Sequence, residues 1–324
     1  MKVLVTGGAG FMGAHLVKKL LDNNHKVLVF DNLSSIGGIL YKNPKSQFIK
    51  GDLTISKDIK KIESWRPEVI YHLAAQSGGE SAYLNPKKDY MTNGFGTLNL
   101  CKIAKKIKVK HFIYTSSVAV YGSNYRKKIN ELSPINPDSI YGVSKFAGEM
   151  FINQAFKNTK IKHTIFRVFN TYGPGENLNY LKKGMVSIYA SYLWKNKPVI
   201  VKGSLDRIRD LTFIDDTINV LYQSLNNKKL KKNEIINLSS GNLLTVKKLL
   251  KAIIIASNKT KHRIIVTKGT PGDSKIFHTN NDKLKKLYPD VKFTSIKEGL
   301  KKYFDWINQI PTNKKLEKYH PFML

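Results

Sequence analysis

The sequence predicts an α/β fold: a doubly wound parallel sheet followed by a smaller C-terminal α/β lobe. Three observations carry that expectation. Short runs rich in β-branched residues alternate with runs whose apolar positions recur at helical spacing, the pattern of parallel strands joined by crossover helices. The first strand-like run meets Gly7, Gly10 and Gly13 at the mouth of the first helical run. At 324 residues the chain is long enough for such a sheet and a second lobe.

The elements follow in order. KVLVT, KVLVF, QFIKG, EVIYHLA and HFIYTSS read as buried strands. Between them, FMGAHLVKKLLDN, SKDIKKIESW and TLNLCKIAKKIK carry apolar residues at helical spacing. The helix IYGVSKFAGEMFINQAFKN then leads into the strand KHTIFRVFN. YGPGEN is turn-forming, and after it the periodicity loosens into MVSIYASYLWKN, PVIV, DLTFIDDTINVLYQSL and TVKKLLKAIIIAS. The expected division is residues 1–170 for the sheet domain and 171–324 for a mainly substrate-binding lobe, with DLTFIDDTINVLYQSL able to pack back on the first domain. The tail NKKLEKYHPFML has no clear period, and the chain has no internal repeat.

Composition narrows the function. A hydrophobic content of 41% with 24% charged residues fits a soluble globular protein. No apolar run approaches the roughly 18 to 20 residues of a membrane span, and the N-terminus lacks the pattern of a signal peptide. The single cysteine, Cys101, excludes an internal disulfide and points to a reducing compartment, so a cytoplasmic location is expected. Cys101 itself reads as a packed residue on an apolar helix face. The net charge of +32 would attract polyanions, yet only six of the 55 basic residues are arginine and the lysines are scattered. A solvated lysine-rich surface, with no specific nucleic-acid partner, is the expected reading. The eight histidines offer no HxxxH or Cys/His spacing for a metal, so none is expected.

The glycines carry more. Gly7, Gly10 and Gly13 are spaced GxxGxxG, with a strand before and a helix after, the context of a dinucleotide-binding turn. Glycine lets the backbone approach a diphosphate whose charge rests on the helix N-terminus. The second strand ends at Asp31, eighteen residues past Gly13, where a carboxylate accepts from an adenosine ribose and repels a 2′-phosphate. That favours NAD over NADP. Asp52, after the third strand, either faces the adenine amino group or caps the next helix.

Tyr141 and Lys145 stand four apart in DSIYGVSKFAGE, on one face of a helix. A cation beside a phenol favours phenolate, so the tyrosine can serve as a base near neutrality. Ser117 ends the strand just before them in sequence and adds a hydroxyl.

Together TGGAGFMG, HLAAQ, SSVAVYG, YGVSK, FRVFNTYGPGE and RDLTFIDD resemble an extended short-chain dehydrogenase/reductase of the NAD-dependent nucleotide-sugar epimerase/dehydratase family, typified by UDP-galactose 4-epimerase. The match runs in order over nearly the whole chain and implies a Rossmann-type domain. It implies that Gly7, Gly10, Phe11, Met12 and Gly13 line the NAD pyrophosphate, with Asp31 and Asn32 on the adenosine ribose and Asp52 and Leu53 at the adenine. Leu73, Ala74, Ala75 and Asn93 would border the cofactor's middle, and Thr115 would touch the cofactor as well. Lys145 would bond the nicotinamide ribose, Tyr141 would face the sugar C4 hydroxyl, and Ser117 would bind substrate. Asn170 and Arg209 would hold the diphosphate of a nucleotide sugar. The helices TLNLCKIAKKIK and YGVSKFAGEMFINQAFKN would pair across a two-fold axis as a four-helix bundle, giving a homodimer.

Val118 and Ala119 stand where the family's 4,6-dehydratases carry acidic residues, and neither can shuttle a proton. The resemblance therefore implies a nucleotide-sugar 4-epimerase working through a transient 4-keto sugar, with net 4-oxidation or 4-keto reduction as the alternative. Two departures bear on the substrate: Thr270 replaces a usual arginine ahead of Gly272 and Asp273, with Lys268 as a substitute cation, and QSGGESAYLNP differs from the usual pattern.

Overall fold

The structure, a computed structural model, describes residues 1–35, 37–123, 128–259, 262–269 and 279–323. Its strands are β1 (Lys2–Thr6), β2 (Lys26–Asp31), β3 (Gln47–Lys50), β4 (Val69–His72), β5 (His111–Ser117), β6 (Lys162–Val168), β7 (Asn170–Tyr172), β8 (Val199–Lys202), β9 (Ile208–Phe213), β10 (Asn233–Leu238), β11 (Leu243–Thr245) and β12 (Ile264–Thr267). The helices are α1 (Phe11–Asp22), α2 (Ser56–Trp65), α3 (Gly79–Leu84), α4 (Pro86–Tyr90), α5 (Gly96–Lys106), α6 (Ile140–Phe156), α7 (Met185–Trp194), α8 (Ile214–Gln223), α9 (Val246–Ala256), α10 (Asp282–Leu287) and α11 (Ile296–Ile307).

Seven strands form one sheet in the order β10-β6-β5-β4-β1-β2-β3, every pair parallel. Alternate residues of each strand point to opposite faces, and both faces are covered. Val3 and Val5 join Leu16, Val17 and Ile218 on one side, while Leu4 joins Leu28, Leu100 and Ile152 on the other. This explains why the strands read as continuous apolar runs. Burying one such leucine contributes about 1.5–3 kcal/mol, so a charged residue at Leu4 would break the layer. Cys101 is fully buried on the α5 side, as its apolar setting suggested.

Strand order reverses between β1 and β4, because the chain runs outward through β2 and β3 and then returns to build β4, β5 and β6. Ligands of open parallel sheets bind at the carboxyl ends of the strands beside such a switch. Beside the seven-stranded sheet lie a three-stranded sheet, β11-β9-β7, and a parallel pair, β12-β8. Two later segments return to the first sheet. β10 forms its edge beside β6. α8 packs against α1, and the Tyr71 hydroxyl donates to the Leu221 carbonyl at 2.7 Å. DLTFIDDTINVLYQSL thus supplies β9 to one sheet and a covering helix to the other.

Candidate active site

The turn between β1 and α1 is built for a close approach. Gly7 has φ 69°, and a Cβ at Gly13 would lie 2.0 Å from the Gly7 carbonyl oxygen, so only glycine lets α1 sit on the turn. The N-cap of α1 is Gly10, which offers no side-chain cap, and its first turn holds no acidic residue. Its first amides therefore remain open to an anion. Asp31, at the end of β2, accepts from the amides of Ala9 (3.0 Å) and Leu33 (2.7 Å). Burial pushes its carboxyl up, and those two amides pull it back. Asp52 accepts from Asn32 (2.8 Å) and from the Thr54 amide (2.8 Å) and hydroxyl (2.7 Å). Burial raises its carboxyl, but these donors outweigh it and hold it below the usual range. Asp52 does not cap α2, whose N-cap is Ile55.

A hydrogen-bonded chain that sequence reading did not find fixes the loop after β4. The Thr97 hydroxyl donates to the Asn93 carbonyl at 2.6 Å, so it accepts from Nε2 of His72 at 2.8 Å. His72 Nδ1 then accepts from the Thr6 hydroxyl at 2.8 Å, which in turn accepts from the Ala74 amide at 3.3 Å. Asn93 closes the loop through the Gln76 amide and carbonyl, both at 2.9 Å. It sits in a π-helical turn, Met91–Phe95, of the kind that re-aims a side chain at functional places. Burial drives the His72 ring down to about 3, so it is neutral at any ordinary pH. Only the motif HLAAQ hinted at this. A polar residue at a strand end gives no sign of its partners.

On the far wall, β5 ends at Ser117, and α6 starts one residue past its N-cap, Ser139, whose hydroxyl accepts from the Gly142 amide at 3.1 Å. Tyr141 lies in the first turn of α6, and Lys145 one turn on. Lys145 is 1% exposed, with its ammonium 4.3 Å from the Tyr114 ring centre. Burial lowers it to about 7, against the pull of Asp89 and Glu149. Burial pushes the Tyr141 phenol up to about 12, and its hydrogen bond with Ser117 offsets part of that rise. In the protein alone the tyrosine is therefore protonated.

One cavity gathers nearly all of the residues singled out in the sequence. Gly7, Gly10, Phe11, Met12 and Gly13 line one end with Asp31, Asn32, Asp52 and Leu53. Leu73, Ala74, Ala75 and Thr115 line its middle, and Ser117, Tyr141, Lys145 and Asn170 the other end, with Val118 but not Ala119. Asn93 stands behind the wall, 1% exposed. Arg209 is not brought to the cavity: it is 4% exposed, and Nη1 donates to the Ile208 carbonyl at 2.8 Å. Asn170 Nδ2 donates to the Asp210 carbonyl at 3.1 Å. Thr270, Gly272 and Asp273 lie outside the described residues. Several further lining residues are not among the site residues expected from the sequence, Ser77, Glu176 and Lys183 among them.

Residues 3–239 match the model of the NAD dependent epimerase/dehydratase family. The chain belongs to that family. A putative UDP-glucose 4-epimerase of Methanocaldococcus jannaschii is 32% identical over 316 residues, covering 94% of this chain and 98% of the relative. The dTDP-D-glucose 4,6-dehydratase of Homo sapiens is 28% identical, covering 95% and 90%. The crystal structure of UDP-glucuronic acid 4-epimerase from Bacillus cereus, in complex with UDP-glucuronic acid and NAD, superposes with a TM-score of 0.87 at 29% identity, covering 95% and 99%. This Rossmann-type chain is thus an NAD-dependent enzyme of the extended short-chain dehydrogenase/reductase family, and NAD is its cofactor. The open amides of α1 and the carboxylate at the end of β2 suit a dinucleotide diphosphate and ribose.

Proposed function

We propose that the enzyme is a nucleotide-sugar 4-epimerase acting through a transient 4-keto sugar. One observation carries this reading: the cavity wall offers a hydroxyl (Ser117), a phenol (Tyr141) and an ammonium (Lys145), while Val118 beside them is apolar. Those three groups suffice for proton movement at C4. Elimination at the neighbouring carbons needs a further acid at the strand end, and Val118 and Ala119 supply none. Solved relatives in complex with UDP-glucose and UDP-glucuronic acid support a UDP-sugar as substrate.

In this reading Gly7, Gly10, Phe11, Met12 and Gly13 meet the NAD diphosphate. Asp31 and Asn32 take the adenosine ribose, and Asp52 and Leu53 the adenine. NAD, when bound, supplies the oxidising and reducing equivalents at C4. Tyr141 moves the C4-hydroxyl proton, Ser117 orients that hydroxyl and Tyr141 together, and Lys145 stabilises the phenolate. Tyr141 would ionise more readily with the cationic form of NAD bound. Asn170 is the second-lobe contact to substrate.

Proton NMR of the purified enzyme with UDP-glucose, UDP-N-acetylglucosamine or UDP-glucuronate, without added NAD, tests this. A second anomeric signal growing to a fixed ratio is the expected result. A keto sugar accumulating only when NAD is supplied would replace epimerisation by net oxidation, and a 6-deoxy product would replace it by dehydration.

We also propose a homodimer through the α5 and α6 face, in a cytoplasmic setting. The support is a strip of exposed apolar residues on and beside α6: Tyr90, Ile140, Val143 and Met150. Light scattering should give twice the chain mass, and Val143→Glu together with Met150→Glu should give the monomer.

A further inference from the structure

Lys183 stands two residues before α7 and reaches back to the first lobe. Its ammonium donates to the Ser77 hydroxyl at 2.5 Å and borders the cavity. Two glycine loops of the first lobe fix its stem. A Cβ at Gly37 would lie 3.2 Å from Lys183 Cδ and 3.7 Å from Nζ, and one at Gly78 would lie 3.6 Å from its Cβ. The next residue, Gly38, leans on the start of α1, where its Cβ would lie 2.7 Å from the Phe11 nitrogen. The ammonium therefore ends beside the loop that packs on the open amides of α1. On its other side Lys145 is near enough for the two charges to repel.

A cation between the start of α1 and Lys145 lies over the middle of the cofactor groove. No carboxylate is recorded in an ion pair with Lys183 among the described residues. Glu176, whose field reaches it, is 4% exposed and pushed up to about 7 by burial, so its counter-charge is weak. An ammonium facing a cavity with a hydroxyl as partner is costly unless an anion completes the site.

We infer that Lys183 binds the NAD diphosphate, so that the second lobe closes over the cofactor. The segment 173–184 acts as a strap. The Ile39 amide donates to the Gly175 carbonyl at 2.9 Å, the Asn177 amide to Gly37 at 3.3 Å, and Ser81 shares a hydrogen bond with Tyr180. Cofactor release then requires the strap to lift and a charged contact to break. The diphosphate of the nucleotide sugar offers the same chemistry, and the test separates the two sources. The inference rests on the NAD site and not on the epimerase reading, so it is measured by binding.

The purified holoenzyme is compared with Lys183→Met and Lys183→Arg. Bound NAD is counted after denaturation, its exchange with labelled NAD is timed, and UDP affinity is measured on NAD-loaded protein. Lys183→Met should speed NAD exchange about ten- to a hundredfold, the worth of one charged hydrogen bond. Lys183→Arg should restore most of the retention, which a merely structural role would not predict. UDP affinity should stay as in the parent enzyme. Unchanged NAD exchange in Lys183→Met overturns the inference, whether UDP affinity is lost or kept.

Discussion

Lys145 shows what burial does to a catalytic cation. Its folded value of about 7 lies below the ordinary 10.5. Between those values the unfolded chain binds more protons, so this group's contribution makes stability rise with pH; below about 7 its penalty is full. Replacing it with methionine removes that dependence. The stability of Lys145→Met minus that of the parent should therefore fall between pH 7 and 10, by at most about 1.4 kcal/mol per pH unit. Urea unfolding at both pH values measures it, and a flat difference would show that burial does not lower the Lys145 ammonium. Tyr141 answers a separate question. Tyr141→Phe should lower turnover about a hundred- to ten-thousandfold, the usual worth of a positioned proton-transfer group, with NAD content unchanged. Full retained activity would remove Tyr141 from the chemistry.

The elements that position these side chains were legible to different degrees, for physical reasons. Strands covered on both faces, such as Val3–Val5 of β1, announce themselves as apolar runs. The glycine turn was legible because no other residue type tolerates the approach of Gly13 to Gly7. Tyr141 and Lys145 were legible because a helix fixes their relation locally. Lys183 was not, since its meaning comes from Gly37, Gly78 and Ser77, all distant in sequence. The Thr6–His72–Thr97 chain was hidden for the same reason: it ties β1, β4 and α5 together through polar residues that each read as a strand end or helix surface. Removing the ring tests its worth. His72→Leu takes partners from two buried hydroxyls, and should cost about 2–5 kcal/mol and loosen NAD retention through Leu73–Gln76. A urea midpoint equal to the parent's would show that the chain is incidental.

At the scale of the whole molecule, the tail and the buried rings decide how the fold meets acid. The tail, which has no period of its own, packs on residues near the start of the chain. His320 stacks on Tyr41 with ring centres 4.3 Å apart, Phe322 meets the His15 ring at 4.7 Å, and His15 Nε2 bonds the Pro174 carbonyl at 2.9 Å. Burial holds His320, His72 and His111 down to about 3 and His163 to about 4. Each folded value lies below the ordinary 6.5, so under that pH the unfolded chain binds the extra protons and stability falls as pH drops. Each ring contributes about 1.4 kcal/mol per pH unit, so the set removes roughly 5 kcal/mol per unit between about pH 6 and 4. Glu176, raised by burial to about 7, takes up its proton first in the fold and opposes part of that loss, so stability should fall below about pH 6 by less than the rings alone would give. The net charge of +32 pushes the same way, through self-repulsion that salt screens. Circular dichroism against pH at low and high salt separates the causes. Linkage to the rings predicts a steep loss that survives high salt and becomes shallower in His320→Phe, by up to one proton. A transition that disappears in high salt would assign the acid sensitivity to surface charge and leave the rings without a part in it.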